Sequence, residues 1–239
     1  MQDRSLRDRL IFALDVPDAA GAVELARTLE GHVGYFKIGL QLFIQCGPAI
    51  IHDIAGFGKI FLDLKLHDIP ATMRGAIRAV PKGRVSLLTV HASNSPDALK
   101  EAVAAAGAAG DMKIIAVTVL TSISAKDLQD MGVGLSPSEA ALERAVMAQG
   151  CGCAGVVCSA LEAAQIRLKC GRDFLIITPG IRPSWEGVGM DDQKRVSTPA
   201  DAMKRGADMI VVGRAIRDSS DPAGAADGVL EEIEAGLEK

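Results

Sequence analysis

Phe61-Leu62-Asp63-Leu64-Lys65-Leu66-His67-Asp68-Ile69-Pro70 is the stretch from which both fold and chemistry are read. Leu62, Leu64 and Leu66 alternate with Asp63, Lys65 and His67, a period of two that predicts a strand with one apolar and one ionisable face. Charges at the end of an apolar strand are costly to desolvate unless they are paired. By parity Asp63 and Lys65 share a face, roughly 6.5–7 Å apart along the strand. Such a cluster reads either as a catalytic constellation or as an ion pair that closes a strand.

Outward from this segment, short apolar runs alternate with Ala-rich helical patterns. The predicted strands are Leu10–Asp15, Tyr35–Gly39, Ile60–Lys65, Val85–His91, Ile114–Leu120, Gly155–Ser159, Phe174–Pro179 and Met209–Gly213. The predicted helices are Ala19–Leu29, Gln41–Ala55, Ala71–Val80, Pro96–Ala106, Ser136–Gln149, Glu162–Lys169, Pro199–Arg205 and Ala223–Leu237. Eight strands, each followed by a helix, predict a (β/α)8 barrel filling residues 1–239 as one domain. The rival is a doubly wound open sheet, but no Gly-x-Gly-x-x-Gly follows the first strand. Ala102–Gly110 reads as a tightly packed helix end closed by Gly110.

Composition narrows the function. The chain has 239 residues, 49% of them hydrophobic, so a large core is available, and aromatics at 3% make that core aliphatic. Few aromatics and a net charge of -4 argue against nucleic acid and against an anionic membrane surface. The five cysteines, Cys46, Cys151, Cys153, Cys158 and Cys170, have no repeated spacing and read as reduced thiols of a cytoplasmic protein. Cys151-Gly-Cys153 lacks the second ligand pair of a zinc site. The charged Met1–Arg9 segment is neither a signal peptide nor a membrane span.

In a barrel the active site lies at the C-terminal strand ends. Asp15 closes the first predicted strand, Lys37 lies near the end of the second, and Asp63 and Lys65 end the third. Three neighbouring strands then project alternating charges into one mouth. At the far end Val212-Gly213-Arg214 leads from the eighth strand into a turn, a position where barrels hold phosphate on backbone N–H groups. Arg214 offers a bidentate fork, although an exposed Arg at a helix start is the plainer alternative. Gly180–Lys194, which contains Arg182, Trp185 and Gln193, is long for a βα loop and reads as a lid or a variable surface loop. His67 and His91 lie near strand ends with no nucleophile paired to them. The Thr121-Ser122 hydroxyls suit either a heterocycle edge or a helix cap.

Together these residues resemble the orotidine 5'-phosphate decarboxylase family. The segment from Asp63 to Ile69 matches its Asp-x-Lys-x-x-Asp signature. Similarity extends through Leu14-Asp15, Phe36–Gly39, Val90-His91-Ala92, Leu120–Ser122, Thr178–Pro183 and Val212–Arg214. The resemblance implies decarboxylation of orotidine 5'-phosphate to uridine 5'-phosphate by a homodimer, with no metal or organic cofactor. It implies Lys65 as proton donor to pyrimidine C6, with Asp63 and Lys37 beside it and Asp68 arriving from the other subunit. It also implies Asp15, Lys37, Ile69 and, across the interface, Thr72 at the substrate, and Thr121 at the pyrimidine. Arg182, Gln193, Gly213 and Arg214 would hold the phosphate. The Arg182–Gln193 stretch is somewhat longer than the family's usual form. Sibling sugar-phosphate enzymes share the signature but use magnesium, bound partly by a Glu where this chain has Lys37. A non-catalytic pyrimidine-phosphate sensor is the rival from another class.

Overall fold

The computed structural model describes residues 5–186 and 197–238. Eight parallel strands close into a barrel in sequence order: β1 Leu10–Ala13, β2 Tyr35–Gly39, β3 Lys59–Leu66, β4 Leu87–His91, β5 Lys113–Val117, β6 Gly155–Val157, β7 Leu175–Thr178 and β8 Met209–Val212. Pairing of β1 with β8 completes the ring, with Phe12 opposite Val212. Closure removes the open-sheet rival and leaves no strand edge to protect.

The helices are α1 Ala19–Thr28, α2 Leu40–Cys46, α3 Ala49–Ile54, α4 Pro70–Ala79, α5 Pro96–Ala109 and α6 Ala125–Asp130. After them come α7 Pro137–Gly150, α8 Ala160–Cys170, α9 Pro199–Lys204, α10 Arg214–Arg217 and α11 Pro222–Leu237. Their starts are written locally. Proline occupies the first turn of α4, α5, α7, α9 and α11, where its missing N–H costs nothing. Ser124, Ser136 and Ser159 head capping boxes with Asp127, Glu139 and Glu162.

Two hydrophobic layers follow from the strand period. Ile11, Phe61, Leu87, Ile115, Leu175, Ile177 and Met209 fill the barrel interior. The alternate residues, among them Leu10, Phe12, Ile38, Leu62, Leu88 and Ile176, pack outward against the helices. Gly155 is required where β6 meets β7, because a Cβ there would lie 2.3 Å from the Leu175 carbonyl oxygen.

Three local expectations are corrected. The helix expected over Gln41–Ala55 is two helices, since Gly47 takes a φ of 64° and Pro48 follows it. The strand expected to reach Leu120 stops at Val117. Beyond it, Val119 packs with Leu128, Ala140 and Ala141 in a small separate core that seats α6. The first strand ends at Ala13, so Asp15 stands just past its end rather than in it.

Candidate active site

The charges expected at the strand ends converge at the C-terminal mouth. Lys65 Nζ lies 2.9 Å from Asp63 Oδ2, Lys37 Nζ 3.8 Å from the same oxygen, and Lys37 Nζ 3.0 Å from Asp15 Oδ1. The four side chains form one arc of alternating sign across β3, β2 and the β1 end. Its middle is dry and its ends are wet: exposure is 11% at Lys37 and 13% at Asp63, but 30% at Lys65 and 53% at Asp15. Gly39 leaves room for the arc, since a Cβ there would stand 3.0 Å from Lys37 Nζ and 3.3 Å from Asp15 Oδ1.

The strand carrying Asp63 and Lys65 is not regular. Leu62 pairs with Leu88, but the next pair is Leu66 with Val90, so four steps of β3 run beside two of β4. Within this bulge Lys65 adopts a φ of 50°, the one positive value at a non-glycine position among the described residues. Left-handed backbone at such a residue costs about 1–3 kcal/mol and gathers at functional sites. It persists because β4 holds it. Thr89 Oγ1 accepts the Lys65 backbone N–H at 2.8 Å and donates to Asp63 Oδ1 at 3.0 Å. Asn94 donates to the Leu66 and His91 carbonyls and accepts the Asp68 N–H at 3.2 Å. The expected side-by-side placement of Asp63 and Lys65 is therefore reached through a bulge, not through strand parity. Thr89 and Asn94 were missed from sequence; polar side chains in or just past an apolar strand were the available signal.

Opposite the charges the wall is apolar. A cavity of about 330 Å³ is bounded by Lys37, Asp63 and Lys65 on one side and by Val117, Val157, Cys158, Pro179 and Val211 on the other. Thr121 and Ser122 lie at its rim. Such a wall lowers the local dielectric and strengthens the field of a fixed cation. His91 stacks on His67 with ring centroids 5.7 Å apart, and its Nδ1 accepts the Ser93 backbone N–H at 3.2 Å. Burial, then Arg144, His67 and Lys65, push the His91 imidazole down to about 4, so it is neutral near pH 7. Burial, then the neighbouring Cys151, pushes the Cys153 thiol up to about 12, which favours its protonated form.

The Gly213-Arg214 turn adjoins Asp15. Gly213 precedes α10, and a Cβ on it would come within 4.0 Å of Asp15 Oδ2. Arg214 opens that helix, and the neighbouring Arg217 donates to the Asp15 carbonyl at 2.8 Å. At the start of the long segment after β7, the Arg182 backbone N–H donates to the Ser197 carbonyl at 3.0 Å and the Ser197 N–H donates to the Gly180 carbonyl at 3.2 Å. Ser184 is tied to Glu232 of α11 through its N–H and hydroxyl, both at 2.8 Å. Gln193 lies outside the described residues. Asp68, Ile69 and Thr72 do not join the arc of their own chain. They lie exposed at the start of α4, Ile69 at 66%, with Asp68 Oδ1 accepting the Ile69 N–H at 2.7 Å.

Among the described residues no three His, Cys, Asp or Glu side chains converge as a metal site, and no helix is long and apolar enough to cross a membrane. Between Asp15 and Asp63, where carboxylates could otherwise share a divalent ion, stands the Lys37 ammonium.

The model of the orotidine 5'-phosphate decarboxylase / HUMPS family matches residues 8–229. The chain belongs to that family. Among family members, an orotidine 5'-phosphate decarboxylase of Desulfosudis oleivorans is 45% identical, over 99% of this chain and 97% of its own length. One of Afipia carboxidovorans is 46% identical over 95% of each. The crystal structure of orotidine 5'-phosphate decarboxylase from Lactobacillus acidophilus superposes with a TM-score of 0.85 at 35% identity, covering 95% of this chain and 100% of that one. The fold and the family expected from the strand-end motifs therefore both stand.

Proposed function

We propose that this chain decarboxylates orotidine 5'-phosphate to uridine 5'-phosphate and carbon dioxide, the last step of de novo pyrimidine nucleotide synthesis, with residues 1–239 acting as one catalytic domain. The arc Lys65–Asp63–Lys37–Asp15, facing an apolar wall, is the observation that carries this reading. Loss of carbon dioxide from C6 leaves a carbanion with no adjacent electron sink. An ammonium already aimed at that carbon stabilises the charge without reorganisation and then protonates it. Lys65 takes that role, and Asp63 aims it. Asp15 and Lys37 take the ribose, Thr121 meets the pyrimidine edge, and Arg182, Gln193, Gly213 and Arg214 take the phosphate. Phosphate contacts remote from C6 let binding energy appear in turnover.

Asp68, Ile69 and Thr72 act across a homodimer interface in this reading. Their exposure in the single chain supports that assignment. The five free cysteines agree with a reducing cytoplasm. The family also includes siblings that use magnesium, and Lys37 argues against their chemistry here because its cation would repel the metal.

The test follows the absorbance of EDTA-treated protein mixed with orotidine 5'-phosphate. Rapid loss of the orotate-type band without added metal is expected. Ligand binding without spectral change would mean a sensor, and turnover only after magnesium addition would mean a sibling activity.

A further inference from the structure

The geometry points to Thr89 as a positioning residue that sets where the Lys65 ammonium stands. Thr89 is fully buried at the middle of β4, beside the bulge. Its hydroxyl has one proton, which goes to Asp63 Oδ1 at 3.0 Å, so its lone pairs receive the Lys65 backbone N–H at 2.8 Å. The other carboxylate oxygen of Asp63 holds Lys65 Nζ at 2.9 Å. One hydroxyl thus closes a ring that runs from the Lys65 backbone through Thr89 and Asp63 to the Lys65 side-chain tip. The backbone end of the lysine is tied to Thr89 and its tip to Asp63, and those two side chains are tied to each other. A left-handed backbone is lost when its anchor is lost, and a displaced ammonium no longer meets the reacting carbon. A threonine that only satisfied buried polar atoms would support the barrel without setting the rate.

The experiment compares the full chain with Thr89→Val, which keeps shape and removes the hydroxyl, and Thr89→Ser, which keeps the hydroxyl. Its kinetic arm rests on the decarboxylase reading; its amide-exchange arm rests on the geometry alone. In Thr89→Val, kcat is expected to fall about 10- to 150-fold, the range for a hydrogen bond to a charged group. Affinity for uridine 5'-phosphate should stay within roughly threefold, because the loss falls on the reacting cation rather than on binding. The Lys65 amide should exchange at least ~10-fold faster, with the Leu62 and Val90 amides unchanged. Thr89→Ser should recover kcat to within about threefold. Unchanged kcat in the valine variant, a serine variant as slow as valine, or equal Lys65 exchange in all three proteins would each overturn the proposal. Wild-type protein without turnover would remove the decarboxylase reading, and the exchange comparison would still decide the positioning. Should the valine variant not fold, Thr89→Cys replaces it, with kcat expected clearly below serine; cysteine matching serine would refute the role.

Discussion

Asp63→Asn removes the negative charge at the centre of the arc while leaving an oxygen for Thr89 to bond. Asp63 faces ammonium groups at 2.9 and 3.8 Å. At an effective dielectric of ~20 these attractions are worth about 6 and about 4 kcal/mol before desolvation is subtracted. Breaking a buried pair from one side costs about 3–5 kcal/mol net. Lys65 is 30% exposed and Lys37 keeps Asp15 at 3.0 Å, which moves the cost toward the low end. We expect a loss of about 2–3 kcal/mol, equivalent to roughly 5–10 °C in Tm for a chain of this size. Urea unfolding at low and high ionic strength measures it, and added salt should recover part of the loss because two ammonium groups are left side by side. The pairing of Asp63 with Lys37 is tested by Lys37→Met, alone and combined. The double variant should lose at least ~1 kcal/mol less than the two singles together. Stability equal to or above wild type would refute the reasoning, since the carboxylate would then cost more to bury than its two partners return.

Lys65→Ala should abolish turnover while affinity for uridine 5'-phosphate stays nearly unchanged, and a near-normal kcat would remove the proton-donor role. Arg214→Ala should lower kcat/KM for the phosphorylated substrate by about 1.5–3 kcal/mol, the worth of a charge-assisted contact, and leave the unphosphorylated nucleoside little affected. Equal losses on both substrates would place the phosphate elsewhere. His91 takes up its proton near pH 6.5 when unfolded and near about 4 when folded. Between these values the unfolded chain binds more protons, so acid favours unfolding and stability rises with pH across that window. His91→Gln should flatten the pH dependence of the urea midpoint between pH 4 and 6.5; parallel curves for the two proteins would show that His91 does not titrate in this way.

The barrel was legible because its signals are local. Period-two apolar runs and the Ala-rich helical patterns between them act within a few residues, so strands and helices could be read without knowing their partners. The same locality exposed Asp15, Lys37, Asp63 and Lys65 as charges at corresponding strand ends. The break at Gly47-Pro48 was also written locally and was overlooked.

The Lys65 bulge could not be read this way. Leu64-Lys65-Leu66-His67 alternates as a plain strand does, and the residues that bend it, Thr89 and Asn94, lie 24 or more positions away along the chain. The apolar wall is equally non-local, since Val117, Val157 and Val211 belong to β5, β6 and β8. The sequence by itself determined which elements form and which charged residues stand at their ends, because hydrogen-bonding preference and side-chain period are short-range properties. Only the tertiary structure decided how far each charge stands from the next, how dry Asp63 is, and that Lys65 holds a strained backbone. Those quantities depend on barrel closure and strand register, which bring together side chains that no local stretch contains.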